Sequence, residues 1–80
     1  MKTVKTKLSK HTKAVYILSR NDGEYNITVI EEASLDDKTS VFSAPYITPS
    51  YKAAKRIFKK ICKGKVFGET LLDVIYNLIE

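Results

Sequence analysis

The chain has 80 residues and a net charge of +5, with 44% hydrophobic and 29% charged residues. A chain of this length forms one small domain that buries about 60–65% of the surface exposed on unfolding, so we expect no deep catalytic cleft. Its apolar runs fall far short of the roughly 20 residues of a membrane span, and its N-terminus lacks the apolar region of a signal peptide. The single cysteine, Cys62, allows neither an internal disulfide nor a four-ligand zinc site. We expect a cytoplasmic globular domain.

The first segment, residues 1–13, carries five lysines and no acidic residue. Val4, Thr6 and Leu8 alternate with polar residues and would share one face of a strand. Because this is little apolar surface, the segment is predicted to be either a Lys-rich arm or an edge strand. Residues 14–80 are predicted to form a single α+β domain.

Two runs rich in β-branched and aromatic residues, 14–19 and 25–30, predict strands. Asp22 and Gly23 lie between them and accept the positive φ angles of a tight turn. The two strands should therefore pair as an antiparallel hairpin.

A polar loop over residues 33–40 and a third strand over residues 41–47 are predicted next. Pro45 has no amide hydrogen to donate, which places this strand at a sheet edge or Pro45 at a strand end. Thr48 is predicted to cap a helix whose first residue is Pro49.

The helix predicted over residues 49–63 has two different faces. Its apolar face is formed by Tyr51, Ala54, Ile57, Phe58, Ile61 and Cys62. The opposite face, predicted to be the binding surface, carries six cations: Lys52, Lys55, Arg56, Lys59, Lys60 and Lys63. Gly64 is predicted to end the helix in the left-handed conformation.

A second helix is predicted over residues 67–80 from an apolar stripe of Phe67, Leu71, Val74, Ile75, Leu78 and Ile79. The short link between the helices favours a helical hairpin that covers one side of the sheet. The predicted fold class is α+β, with a three-stranded antiparallel sheet, or a four-stranded one, followed by a C-terminal two-helix layer. The predicted order is β-β-β-α-α.

The C-terminal pattern "YITPSYKAAKRIF..ICKGKVFGETLLDVIYNLIE" resembles a small uncharacterised protein family of Gram-positive, mainly clostridial, bacteria. The matching positions are Ile47, Thr48, Val66, Leu71, Asp73, Val74 and Asn77. The hairpin resembles the family's front half more loosely, so the resemblance covers about residues 14–80. It supports the topology, but the family has no known function and so implies no site residues.

The charge is divided into four blocks: +5 over residues 1–13, −4 over 14–48, +7 over 49–66 and −3 over 67–80. Such segregation favours oriented association with a charged partner. We predict a non-enzymatic protein-interaction module, either an adaptor or an inhibitor of the kind that phages and mobile elements encode. Its six helical cations would dock on an acidic surface. Three tyrosines would serve as anchors if exposed: Tyr46, Tyr51 and Tyr76.

The alternative is a nucleic-acid-binding protein that contacts phosphates through the same helix and the Lys-rich arm. The stretch "SYKAAKRIFKK" is also similar to the helix of phage integrase arm-binding domains, whose sheet enters the major groove. That resemblance implies base contacts by residues near Tyr16, Arg20, Asn26 and Thr28. The acidic balance of residues 14–48 opposes such docking, because phosphates repel carboxylates.

The residues suggest no catalytic group, metal site or cofactor. His11 stands alone and is expected to be solvated, and Cys62 is interpreted as a small buried hydrophobe. If Cys62 is exposed, Lys63 beside it would lower the pKa of its thiol. The pairs Glu31-Glu32 and Asp36-Asp37 could attract a cation but are expected to be hydrated.

Overall fold

A computed structural model of the chain describes residues 1–79. Four strands precede two helices, and a 3₁₀ turn, Gly68–Thr70, leads into the second helix. The elements are β1 (Lys2–Ser9), β2 (Thr12–Asn21), β3 (Glu24–Ala33), β4 (Lys38–Thr48), α1 (Tyr51–Lys63) and α2 (Leu71–Ile79). The strands form one antiparallel sheet in the order β1-β2-β3-β4. The α+β class and the sheet followed by two helices are confirmed, with the order β-β-β-β-α-α in place of β-β-β-α-α.

The additional strand is β1, which pairs with β2 from Lys2 to Lys7 and again at Ser9, with a register shift in between. Val4 lies opposite the buried Tyr16, and Thr6 lies opposite the buried Ala14. The alternate residues Val4, Thr6 and Leu8 are half-buried. An apolar neighbouring strand thus gives the lysine-rich segment a surface against which to order.

The hairpin between β2 and β3 is confirmed. Asp22 and Gly23 have φ angles of 53° and 81°, the two positive values of the tight turn that matches the twist of the strands. The pairing runs from Asn21 opposite Glu24 to Thr12 opposite Ala33. The strands are longer than predicted because the ladder continues through polar residues.

Strand β4 also starts earlier than predicted, at Lys38, and leaves a shorter loop in which Asp37 has a φ of 53°. It forms one of the two edges of the sheet, which is one of the two positions that Pro45 allowed. Near its end the register shifts, Tyr46 adopts a φ of 55°, and its amide donates to Oδ1 of Asn26 at 3.0 Å. This bulge ends the regular pairing before α1.

The predicted start of α1 at Pro49 is wrong by two residues. Thr48 is still paired with Tyr25 in the sheet, so the N-cap is Ser50, whose hydroxyl accepts from the Ala53 amide at 3.3 Å. The Thr48 hydroxyl instead accepts from the Ser50 amide at 3.2 Å. Thr48 therefore supports the capping residue but is not the cap.

The predicted left-handed Gly64 is also wrong. Gly64 has a right-handed φ of −79°, and the left-handed residue is Lys65, with a φ of 49°. The Lys65 amide donates to the Cys62 carbonyl at 3.2 Å, and the Val66 amide donates to the Ile61 carbonyl at 3.3 Å. These two bonds form a Schellman motif with lysine in the position where glycine is usual. Gly64 is the C-cap of α1 and keeps a right-handed backbone, and the chain then turns Val66 back onto the core.

We expect Lys65→Gly to stabilise the protein by about 1 kcal/mol, because a left-handed conformation costs residues with a Cβ about 1–2 kcal/mol and glycine little. The measurement is the free energy of unfolding in urea. Lys63→Gly is the matched control: it places the same substitution at the last helical residue and should destabilise by up to about 1 kcal/mol. A loss of stability in both variants would contradict the assignment of strain to Lys65.

The core lies between the sheet and the helices. The sheet contributes Ala14, Tyr16, Leu18, Ile27, Val29 and Ala44, and the helical layer contributes Ala54, Ile57, Phe58, Ile61, Leu71 and Ile75. Val74 and Leu78 pack against this core, as the apolar stripe predicted, but Phe67 is 46% exposed because α2 begins only at Leu71. The side chain of Ile79, also in the predicted stripe, lies outside the described residues, as does Glu80. Within residues 1–79, no helix has the length and apolar character needed to span a membrane.

Candidate binding surface

The six predicted cations lie on the exposed side of α1. The opposite side of the helix is anchored by Ala54, Ile57, Phe58 and Ile61, which recur at helical spacing and are all buried. This anchoring fixes the rotation of the helix and so turns the cations towards solvent. We call these six side chains, Lys52, Lys55, Arg56, Lys59, Lys60 and Lys63, the cationic face.

The cationic face has few internal partners. Residues 49–66 contain no acidic residue, so no carboxylate on α1 can neutralise a cation one turn away. Within residues 1–79, the side-chain hydrogen bonds do not involve any of the six cations. Lys60 and Lys63 lie in the last turn, where they also favour the helix dipole. The other four cations lack that structural role.

An open groove of about 240 Å³ runs between β1 and α1. Its sides carry the exposed cations Lys2, Lys55 and Lys59. Its apolar floor consists of the buried Phe58 and the half-buried Val4 and Cys62. One lysine of the N-terminal segment therefore joins two lysines of the cationic face around an apolar strip.

The other lysines of the N-terminal segment point elsewhere. Lys5 and Lys7 alternate with Val4, Thr6 and Leu8 and so occupy the sheet face away from the helices. Beside the turn between β1 and β2 there is a shallow depression. It is lined in part by Lys10, His11, Lys13, Glu32, Asp37 and Lys38. The segment does not extend the cationic face as one continuous stripe.

Cys62 is half-buried and packs against the core, in agreement with its interpretation as a small hydrophobe. Burial raises the pKa of its thiol, and the charge of Lys2 opposes that shift. The effect of Lys63 was expected only for an exposed thiol, a condition that Cys62 does not meet, and the cation that lowers this pKa is Lys2 of β1. Burial favours the neutral thiol, which is the less reactive form.

The residues implied as base readers do not form a reading surface. Tyr16 is fully buried, and its hydroxyl donates to the Val66 carbonyl at 2.8 Å. The Arg20 guanidinium lies over the Tyr25 ring, 5.9 Å from its centroid. The role of Tyr16 in contacting bases is therefore wrong, since Tyr16 faces the helical layer.

The two other implied base readers are engaged within the sheet. Asn26 accepts the Tyr46 amide, and the Thr28 hydroxyl lies 3.3 Å from that of Ser43. Direct base reading by these four residues is thus unsupported.

The acidic pairs are separated or lie in turns. Glu31 and Glu32 are neighbours in a strand and point to opposite faces, while Asp36 and Asp37 lie in the loop before β4. In residues 1–79, no three His, Cys, Asp or Glu side chains gather closely enough to share a metal ion.

Glu31 has a structural role that sequence reasoning missed. Its carboxylate accepts a hydrogen bond from the Gly68 amide at the start of the 3₁₀ turn. This contact ties β3 to the link between the helices. The available signal was an acid at an inward position, two residues after the buried Val29.

The three proposed tyrosine anchors are all exposed: Tyr46 by 57%, Tyr51 by 53% and Tyr76 by 67%. Tyr51 begins α1, and its ring centroid lies 5.6 Å from that of Tyr25. Tyr46 lies on β4 and Tyr76 on α2. Of the three, only Tyr51 shares an element with the cationic face.

Comparisons of this chain with protein-family models, curated proteins and solved structures give no match. The resemblance to a clostridial family stays a prediction.

Proposed function

We propose that the chain is a small non-enzymatic binding protein whose cationic face docks on an acidic surface of a partner protein, in the manner of an adaptor or an inhibitor. The supporting observation is that α1 buries one side in the core and exposes six cations on the other, with no acidic residue between positions 49 and 66. A fixed, uncompensated positive surface accelerates encounter with a negative one and orients it.

Contact with nucleic acid is the second candidate, and one observation favours it. Lys2 joins Lys55 and Lys59 at the groove, so the N-terminal segment adds one cation to those of the helix. Lys5 and Lys7 occupy the opposite sheet face, however, and a duplex following α1 would not meet them. The placement of these lysines therefore favours an acidic protein surface over a nucleic-acid duplex.

The test is a titration with poly-L-glutamate and with a short DNA duplex, at about 50 mM and about 200 mM salt. We expect the wild-type protein to bind polyglutamate, and the variant R56E/K59E/K60E to bind it at least about tenfold more weakly. The matched control, K10E/K13E/K38E, changes the net charge of +5 by the same amount around the distant depression. We expect the control to weaken binding by less than about threefold.

An equal loss in both variants would mean that only net charge matters, and it would reject the cationic face as the site. Tighter binding of the duplex, with a steep loss between the two salt concentrations, would replace the protein-docking proposal by the nucleic-acid one. Absence of binding to either polyanion at low salt would reject both.

A further inference from the structure

Strand β1 is the edge strand of the sheet that contains no proline. It pairs only with β2, so the backbone amides and carbonyls that β2 does not use face outward. It runs for eight residues without a proline. The other edge, β4, contains Pro45 and the bulge at Tyr46. The pairing of β1 with β2 shifts register once, between Lys7 and Ser9, so β1 offers a further strand a regular template over residues 2–7.

The charge of β1 limits what can pair with it. Lys2, Lys5 and Lys7 all lie on this strand, and like charges placed across a strand pair are destabilising. Lysines on an edge strand are a known protection against pairing with a second copy. The same lysines would attract a strand that carries carboxylates. The edge thus discriminates by charge.

The groove beside β1 adds a spacing requirement. Lys55 and Lys59 lie one helical turn apart, about 6 Å along the helix axis. In an extended strand, side chains on one face repeat about every 6.7 Å. Carboxylates at alternate positions of a strand therefore suit these two lysines, with Lys2 close by. The aliphatic parts of these carboxylate side chains would contact Val4 and Phe58 on the groove floor, because the residues between them point to the opposite face of the strand.

We propose that β1 accepts an extended acidic segment of a partner protein as a fifth strand, with its alternate carboxylates at Lys2, Lys55 and Lys59. Main-chain hydrogen bonds to the edge would supply affinity, and the lysines would supply specificity. This inference rests on the proposed function and names the conformation of the partner.

The probe is a synthetic peptide of about eight residues, within the usual length of a strand, with glutamate at alternate positions and threonine or valine between. Its control is the same peptide N-methylated on alternate amides. Two versions are made, one for each set of alternate amides, because each set lies on a different edge of the peptide strand. N-methylation preserves the charge and removes hydrogen-bond donors. We expect at least one methylated version to bind about tenfold more weakly than the parent.

Two readouts locate the peptide on the protein. Amide signals of β1 should shift and exchange more slowly with solvent, while those of β4 stay unchanged. Alkylation of Cys62 should also slow, since its thiol lies in the groove floor.

The variant K55E/K59E should lose at least about tenfold in affinity. The control K60E/K63E has the same net charge but keeps the three lysines of the groove, and it should lose clearly less affinity.

The outcomes separate the two proposals. If both methylated peptides bind as tightly as the parent and only α1 signals shift, the fifth strand is rejected while the acidic-surface proposal stands. If neither the peptide nor polyglutamate binds, both are rejected. If β1 signals shift with protein concentration alone, the edge pairs with a second copy, and the acidic partner is rejected.

Discussion

Replacing Gly68 with alanine is expected to destabilise the protein by about 3 kcal/mol, near the upper end for an overpacked site. Gly68 is buried at the start of the 3₁₀ turn, and a Cβ built there overlaps the ring of Phe42 in β4. The turn cannot retreat freely, because the Gly68 amide donates to Glu31. For a small domain whose total stability is roughly 5–10 kcal/mol, this is a large fraction.

The measurement is the midpoint of urea unfolding for Gly68→Ala, made in the wild type and in a Phe42→Ala background. Removal of the ring makes space for the added methyl group, so the alanine should cost at least about 1.5 kcal/mol less in the second background. This difference between the two backgrounds is the coupling energy of Gly68 and Phe42, and it decides whether their overlap is the cause. Strict additivity of the two substitutions would show that the overlap with Phe42 is not the cause.

Local signals account for the parts of the fold that the sequence predicts. Asp22 and Gly23 form the turn that their preference for positive φ indicates. The apolar spacing of α1 sets which side is buried, because Ala54, Ile57, Phe58 and Ile61 recur at helical spacing and lie in the core. These features depend on neighbours within a few residues.

The features that sequence reasoning missed depend on residues far apart. Gly68 is small because Phe42 occupies the space beside it, and Glu31 faces inward because the Gly68 amide needs an acceptor. Neither constraint is visible from either segment alone. The N-cap was misplaced for the same reason: pairing of Thr48 with Tyr25 holds Thr48 in the sheet.

The candidate site also has one part that the sequence predicts and one part that it does not. Exposure of the six helical cations follows from the periodicity of α1, which the sequence contains. The groove does not follow from it, since Lys2 reaches Lys55 and Lys59 only through the order of strands in the sheet. The first segment alone, with its few apolar residues, gives no sign of which lysines would approach the helix.

Replacing Tyr16 with phenylalanine is expected to cost about 2 kcal/mol at neutral pH, because the partly buried Val66 carbonyl loses its donor. Tyr16 has no exposed surface, and its hydroxyl donates to Val66 at 2.8 Å. This bond joins the central strand β2 to the link after α1, fifty positions away. The control is Tyr76→Phe, at a largely exposed position, which should change stability little.

The same residue should make stability fall at alkaline pH. Burial, followed by the nearby Cys62 and Glu31, raises the pKa of the Tyr16 phenol from 10.0 to about 12. Because the folded pKa is the higher one, the contribution to stability is complete below about pH 10 and is lost as the pH rises towards about 12.

The difference in unfolding free energy between the wild type and Tyr16→Phe should therefore shrink between about pH 10 and about pH 12, since only the wild type contains this titrating phenol. Urea unfolding of both proteins across that range measures the difference directly, and titration of the lysines cancels in the comparison. The Tyr76→Phe protein should follow the wild type. A constant difference between wild type and Tyr16→Phe would mean that the phenol titrates alike in the folded and unfolded chains, and that the bond to Val66 does not hold it in its neutral form.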